Sequence, residues 1–510
     1  MKRKSAFNGV VVLTVALIVV KILSALYRVP YQNVLGDAGL YAYQQIYPLV
    51  ALGVILSMHA LPSATTQMLG TQGDAARYTR VLTYVQIAGV ATFGVILATA
   101  PYIAQLMGDV QLTPMIRVAS STFLVVGALG ILRAHYQARQ SMHIPAYSQV
   151  IEQVIRVAVI LVTVVVFYKS SLTIYEAGSI ALFGSILGFI ASTLYLMIKR
   201  PFKLQWHSST PVSLPWRHFI FAVMIFAASQ LIVILWQILD NFTIVNVMKH
   251  TGAPFQQLIE EKGVYDRGAS FIQMGLIVTT TFCFVLIPLL TDAFRQGAIM
   301  KAHRYANVSL KITVVISVAA SAGLINLMPL MNHVFFKDDV LTSTLIVYML
   351  SVIGVSWVML EMALLQVVHR KRFVLISLMI SACMKFIMNI VFLHHFGIIG
   401  ASISTVVSLF IFAFILHIAT RKHYRFEALH TFLWRLFAAI VCMSIAVQGA
   451  MYVMPELGRF GGLIELLILA VIGIAVLLLC VMYMHILTYK ELRYLPFGNI
   501  RHYFKRGKKR

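Results

Sequence analysis

Charge is what this chain of 510 residues has least of: only 11% are Asp, Glu, Lys or Arg, against about 25% in soluble domains. Acids are the scarcer sign, 17 against 41 Lys and Arg, which leaves a formal net charge of +24. With 60% apolar residues, against about 45–50% in soluble chains, a water-soluble enzyme of this length is excluded. Cysteine is scarce too. Cys283, Cys383, Cys442 and Cys480 all lie in apolar runs without a CxxC, so neither a disulfide framework nor a zinc site follows, and no metal or cofactor is expected. A Walker A loop is missing: the one Gly-Lys, Gly507-Lys508, lacks both the upstream glycine and the following Ser or Thr. The chain therefore does not hydrolyse ATP through a P-loop. Long polar loops are also missing. The largest, about 247–268, has room for no more than a short amphipathic helix over 255–261.

Long apolar runs are what the chain has. A helix needs about 20 apolar residues to cross a bilayer, and runs of that kind give roughly fourteen spans. They lie at 8–29, 40–68, 81–107, 115–137, 150–168, 176–198, 218–246, 269–292, 305–331, 342–366, 373–394, 398–420, 431–454 and 462–488. The first follows Lys2-Arg3-Lys4 but runs too long for a signal peptide, so it reads as a retained span. The predicted fold is an all-α polytopic membrane protein. Its N-terminal lobe covers 1–217 and its C-terminal lobe 218–430, six spans each in a parallel pseudo-repeat. Two further spans cover 431–488, and a basic tail covers 489–510.

The cations are distributed unevenly. With both termini cytoplasmic, and with Arg133 near the inner end of its span counted inside, 28 Lys and Arg fall in inner segments, 6 (Lys262 among them) in outer loops and 7 within spans. That bias orients the chain. It also accounts for the basic balance through anionic lipid headgroups rather than nucleic acid. The repeat rests on Glu152-xxx-Arg156 before Ala177-Gly178-Ser179, matched by Ser381-xxx-Lys385-xxx-Asn389 before Gly397-Ile-Ile-Gly400-Ala401-Ser402. In each, a span carrying a cation precedes a small-residue opening that permits close packing.

Ionisable groups within spans are costly, at least about 2.5–3.5 kcal/mol near the bilayer centre, so each needs a partner or a wet cavity. Glu152 and Arg156 are one turn apart and read as a local ion pair. Glu361 lies near an inner end, within reach of Arg370 to Arg372, and Glu465 reads as interfacial. Lys21 and Arg28, two turns apart, share a face of the first span. Neither has an acid in its own span. Pairing with Asp240 or Asp37, or lining a cavity that receives an anion, are both open.

From the first span onward the chain is familiar. Lys21-Ile-Leu-Ser-Ala-Leu-Tyr-Arg28-Val-Pro30, Leu35-Gly36-Asp37-Ala38-Gly39-Leu40-Tyr41 and Tyr47-Pro48 resemble the opening of the MurJ/SpoVB-like flippases of the MOP exporter superfamily. Ser57 to Ala64 with Pro62, Val264-Tyr265-Asp266-Arg267-Gly268 with Ile287-Pro288-Leu289-Leu290, and Gly397 to Ala401 continue the likeness in order. It covers about 5–485.

The resemblance implies a lipid flippase of a bacterial plasma membrane, with no catalytic residue. Its substrate would be a polyprenyl-diphosphate-linked glycan, lipid II of peptidoglycan biosynthesis or a related carrier, moved outward by alternating access. Membrane lipids and cell-wall synthesis proteins are the implied partners, and spans 13 and 14 would add a groove for the lipid tail. The family's cavity cations map onto Lys21, Arg28 and Arg267. A basic pair found in span 2 of some members is replaced here by His59 and Thr65-Thr66-Gln67. Some relatives hold sodium where this chain has Asp240, Lys385, Asn389 and Thr405. With Lys385 as a tethered cation, or as half of a plain interlobe ion pair, weak or absent sodium dependence is predicted. Two other classes are a MATE-type cation-coupled drug exporter, which needs cavity carboxylates, and a membrane glycosyltransferase using Glu260, Glu261 or Asp266.

Overall fold

The computed structural model describes residues 23, 27–70, 74–199, 202–205, 215–427, 429–454 and 458–487. They are helical almost throughout, without a strand among the described residues. In lipid a helix satisfies its own backbone, so this is the form that apolar runs of such length must take. Twelve described helices are long and apolar enough to cross a membrane. Two expected spans remain. The span at 8–29 lies almost wholly outside the described residues, and the one at 269–292 falls inside a helix running Phe255–Arg295.

The chain divides into two compact units, 1–274 with 378–408 and 275–377 with 409–510. Unit 1 contains α1 (Arg28–Ile55), α2 (Leu61–Leu69), α3 (Ala75–Leu106), α4 (Thr113–Ser120), α5 (Phe123–Ala138), α6 (His143–Lys169), α7 (Ile174–Ile198) and α8 (Trp216–Met248). It also takes α9 (Phe255–Arg295) as far as Met274. Unit 2 holds the rest of α9, α10 (Ile299–Phe336), α11 (Thr342–Met349) and α12 (Ser351–Val367). Most of α13 (Lys371–Phe396) and the first half of α14 (Ile398–Arg421) belong to unit 1, while α15 (Leu429–Val453) and α16 (Arg459–Tyr483) belong to unit 2.

Packing in unit 1 is built on small residues. A Cβ at Gly188 would meet the Glu152 carbonyl, and one at Gly184 would meet Val159, so α6 and α7 touch backbone to side chain along their length. By contrast α3 is apolar yet almost unburied, with 6% of its most apolar stretch covered. In water Tyr84, Ile87, Val90 and Val95 would be a liability on such a face; against lipid they are at home. The Ser57–Ala64 motif forms a π-helical turn, Leu56–Ala60, running into α2.

Three sequence readings change. The 247–268 stretch is not a loop with a short helix: α9 begins at Phe255 and continues unbroken into the span, 41 residues or about 60 Å at 1.5 Å per residue. Lys262, counted as an outer-loop cation, and Arg133, counted as an inner-turn cation, are both fully buried. Among the described residues Glu361 pairs with neither Arg370 nor Arg372; its partners are His417 and Trp357. Glu465, in the second turn of α16, is buried at 7% exposure.

Candidate functional site

Arg28 opens α1 and is 1% exposed. Its Nη1 donates to Ser270 Oγ on α9 at 3.0 Å. The guanidinium carbon lies 5.6 Å from the Tyr47 ring centroid and 6.0 Å from that of Tyr27. Those rings belong to a cluster of Tyr27, Tyr31, Tyr43 and Tyr47. The Arg28 Nε and Nη2 have no hydrogen-bond partner among the described residues, and no carboxylate pairs with the group. Desolvated cation–π contacts recover about 2 kcal/mol each, less than burial of an unpaired charge costs. An anion with two oxygens fits what is missing, since a guanidinium fork binds phosphate bidentately.

Both acids open to Arg28 are engaged elsewhere. Asp37 takes Arg267 in a two-pronged pair, Nε to Oδ1 at 2.8 Å and Nη2 to Oδ2 at 2.5 Å. Gln32 Nε2 also donates to Asp37. Two glycines allow this. Gly36 sits at φ +73° and breaks α1, a conformation that only glycine adopts without strain. Gly263, one turn before Arg267, lies where a Cβ would run into the Asp37 carbonyl. Arg267 is therefore neutralised here, whereas Arg28 has no salt bridge among the described residues and meets Asp266 only through longer-range charge. Lys21 lies outside the described residues. Asp37 also lines a cavity of about 620 Å³ with Gly36, Gln111, Tyr175, Phe255 and Glu260.

Asp240 on α8 is 1% exposed and takes Lys385 Nζ at 2.7 Å. It also accepts from Asn389 Nδ2 at 2.7 Å and from the Tyr265 hydroxyl at 2.9 Å. Lys385 donates in addition to Asn389 Oδ1 at 2.8 Å, Thr405 Oγ1 at 2.6 Å and, at 3.4 Å, the Ala401 carbonyl. Gly397 at φ +64° ends α13, and Gly400 packs on the Phe392 carbonyl. This tight turn brings Thr405 beside Lys385. The ammonium is thus caged by oxygens within unit 1, as a metal cation would be.

Two clusters escaped the sequence reading. Lys262 bonds Asp266 at 2.5 Å and Asn241 Oδ1 at 3.2 Å; its i,i+4 acid was the available signal. Glu152 is shared, with Arg156 at 3.0 Å on one oxygen and Arg133 at 2.8 Å on the other. That cluster carries two cations for one anion, so the local pair of the sequence is half of a three-membered network. Arg133 is held further by Ser148 and Ser57. Tyr47 lies within electrostatic reach of both Arg28 and Arg156.

Membrane-crossing helices around a buried arginine that has no salt bridge among the described residues, and around a caged lysine, define a polytopic membrane protein that holds charge where lipid would refuse it. Comparison with known proteins agrees. A family model described as "Polysaccharide biosynthesis protein" matches residues 6–294, and the chain belongs to that family. An uncharacterized membrane protein of Bacillus subtilis (strain 168), YabM, is 28% identical over 98% of this chain and 96% of its own length. The lipid II flippase MurJ of the same organism is 23% identical over 93% of this chain and 94% of its own. Among solved structures, the lipid II flippase MurJ in an inward closed conformation superposes with a TM-score of 0.71 at 14% identity, covering 93% of this chain and 99% of that one. An inward-facing MATE-family multidrug resistance transporter gives 0.63 at 16%, covering 81% and 97%. These two establish the shared fold.

Proposed function

We propose that this protein flips a polyprenyl-diphosphate-linked glycan, lipid II in the first instance, from the cytoplasmic to the outer leaflet of a bacterial plasma membrane. Both termini are cytoplasmic in this reading, and transport runs by alternating access. The observation that carries it is Arg28: buried, ringed by tyrosines and with two nitrogens lacking a hydrogen-bond partner among the described residues. The diphosphate supplies the missing acceptors while the prenyl chain stays in lipid. Arg267 joins when the headgroup competes with Asp37 for it. Outward movement of negative charge runs with an inside-negative potential, about 2.3 kcal/mol per charge per 100 mV, which suits a chain without a P-loop. Lys385 occupies the oxygen cage, so sodium is not required.

Another polyprenyl-diphosphate cargo is favoured by one feature, the His59 and Thr65-Thr66-Gln67 segment in place of a basic pair. A cationic-drug exporter is disfavoured because Asp240 and Asp37 already hold cations. The test reconstitutes the purified chain in liposomes and follows headgroup exposure of lipid II and of a teichoic-type carrier side by side. Exposure of lipid II is expected. Exposure of the teichoic-type carrier alone would move the assignment to that cargo, and exposure of neither would end the flippase reading.

A further inference from the structure

Glu361 and His417 form a cluster that cargo binding does not use. Both belong to unit 2, on α12 and α14. The Glu361 side chain is fully buried. Its Oε1 lies 2.7 Å from His417 Nδ1 and accepts from Trp357 Nε1 at 3.0 Å, while Oε2 has no partner among the described residues. Among the described residues no Lys or Arg pairs with it, so its one ionisable bonding partner is an imidazole. This differs from every other buried acid in the ion pairs described above, since Asp37, Glu152, Asp240 and Asp266 each hold a Lys or Arg.

A carboxylate within a span costs at least about 2.5–3.5 kcal/mol unless something offsets its charge. Here the proton is what can do so. His417 is held in place by a tilted ring contact with Phe426 at 5.2 Å and an edge contact with Trp357 at 5.6 Å. Its side chain is 13% exposed where that of Glu361 is 0%, which makes the imidazole the side from which a proton arrives. The neighbouring titratable groups are few. Tyr424, after α14, feels the Glu361 charge but donates its hydroxyl to the Leu364 carbonyl. Beyond it His303 of α10 lies edge-on to the Tyr424 ring at 6.3 Å.

We propose that Glu361 and His417 are a proton-binding site whose occupancy sets the transport rate. Uptake of one proton from water makes His417 an imidazolium beside the carboxylate, and its release restores neutral imidazole; only an N–H bond forms or breaks. Lys385 fills the other cation cage permanently, which leaves this pair to hold an exchangeable cation. The proton site stands by itself, while its effect on rate rests on the transport reading.

Trp357 is a built-in reporter. The full chain in detergent, without cargo, is titrated over about pH 5 to 8, where imidazoles exchange protons, and its fluorescence is followed. A change is expected in the wild type and is lost in His417→Gln, Glu361→Gln and Trp357→Phe. A wild type without a Trp357-dependent change, or either of the first two variants keeping it, overturns the site. Should a variant fail to fold, the infrared pH-difference spectrum of the wild type decides: imidazole and carboxyl bands are expected, and their absence is equally fatal. In liposomes the wild-type rate should change several-fold over the same range and the His417→Gln rate should not. An equal pH response in both removes the link to transport. A wild type that moves no carrier defeats the cargo reading alone and leaves the spectral test standing.

Discussion

Removing the Lys385 side chain separates a tethered cation from a plain structural pair. Deleting one partner of a buried pair costs about 3–5 kcal/mol, since the other charge stays behind. Asp240 keeps bonds from Tyr265 at 2.9 Å and Asn389 at 2.7 Å, so Lys385→Ala should fall near the lower end, about 3 kcal/mol. It also leaves an empty cage whose oxygens, from Asp240, Asn389, Thr405 and Ala401, already point at a cation. Sodium should enter it. A ligand at a hundred times its Kd restores about 2.7 kcal/mol, close to the whole loss. The assay is unfolding of the purified chain in detergent, with sodium chloride against choline chloride. Lys385→Ala is expected to be weakened in choline and rescued in sodium, with the wild type indifferent to the swap. Lys385→Met fills the cage, so it should be weakened and stay unrescued; adding Asp240→Asn should recover most of its loss. A Lys385→Ala protein as stable as the wild type, or a wild type that itself responds to sodium, would refute the reasoning.

Two further substitutions probe the framework. Glu152→Gln leaves Arg133 and Arg156 buried without their shared acid; a loss of about 3–5 kcal/mol is expected by denaturant titration, and a loss under about 1 kcal/mol would mean that solvent reaches the cluster. Gly263→Ala forces a Cβ into the Asp37 carbonyl, and overpacking of this kind costs about 1–3 kcal/mol. Gly449→Ala, where a Cβ meets nothing within 4 Å, is the control and should be neutral or slightly stabilising by thermal melt.

Span positions were legible because a run of apolar side chains has one stable form in lipid, and α7 and α14 follow their sequence bounds closely. The ends were harder to read. Lys262 looked like a loop residue because charges interrupt the apolar run, although the helix continues through it. What a linear reading cannot supply is the partner. Asp37 and Arg267 are 230 residues apart, and nothing local distinguishes Asp37 from a loop acid. Glu361 has three basic residues close in sequence yet bonds His417, 56 residues on, because α12 presents that face to α14. Asp240, Lys385, Asn389 and Thr405 were grouped from the resemblance, and the structure places them in contact; composition alone would have left Lys385 an unexplained cation.

The central claim is that Arg28 waits for a phosphorylated lipid, and Arg28→Gln in the liposome headgroup-exposure assay addresses it most directly. Arg28→Gln gives up the Ser270 bond and the ring contacts but also removes a buried charge that has no salt bridge, so the variant should fold and melt near the wild type. It should nonetheless leave lipid II and the teichoic-type carrier in the leaflet where they began. Headgroup exposure at the wild-type rate by the well-folded variant would contradict the account.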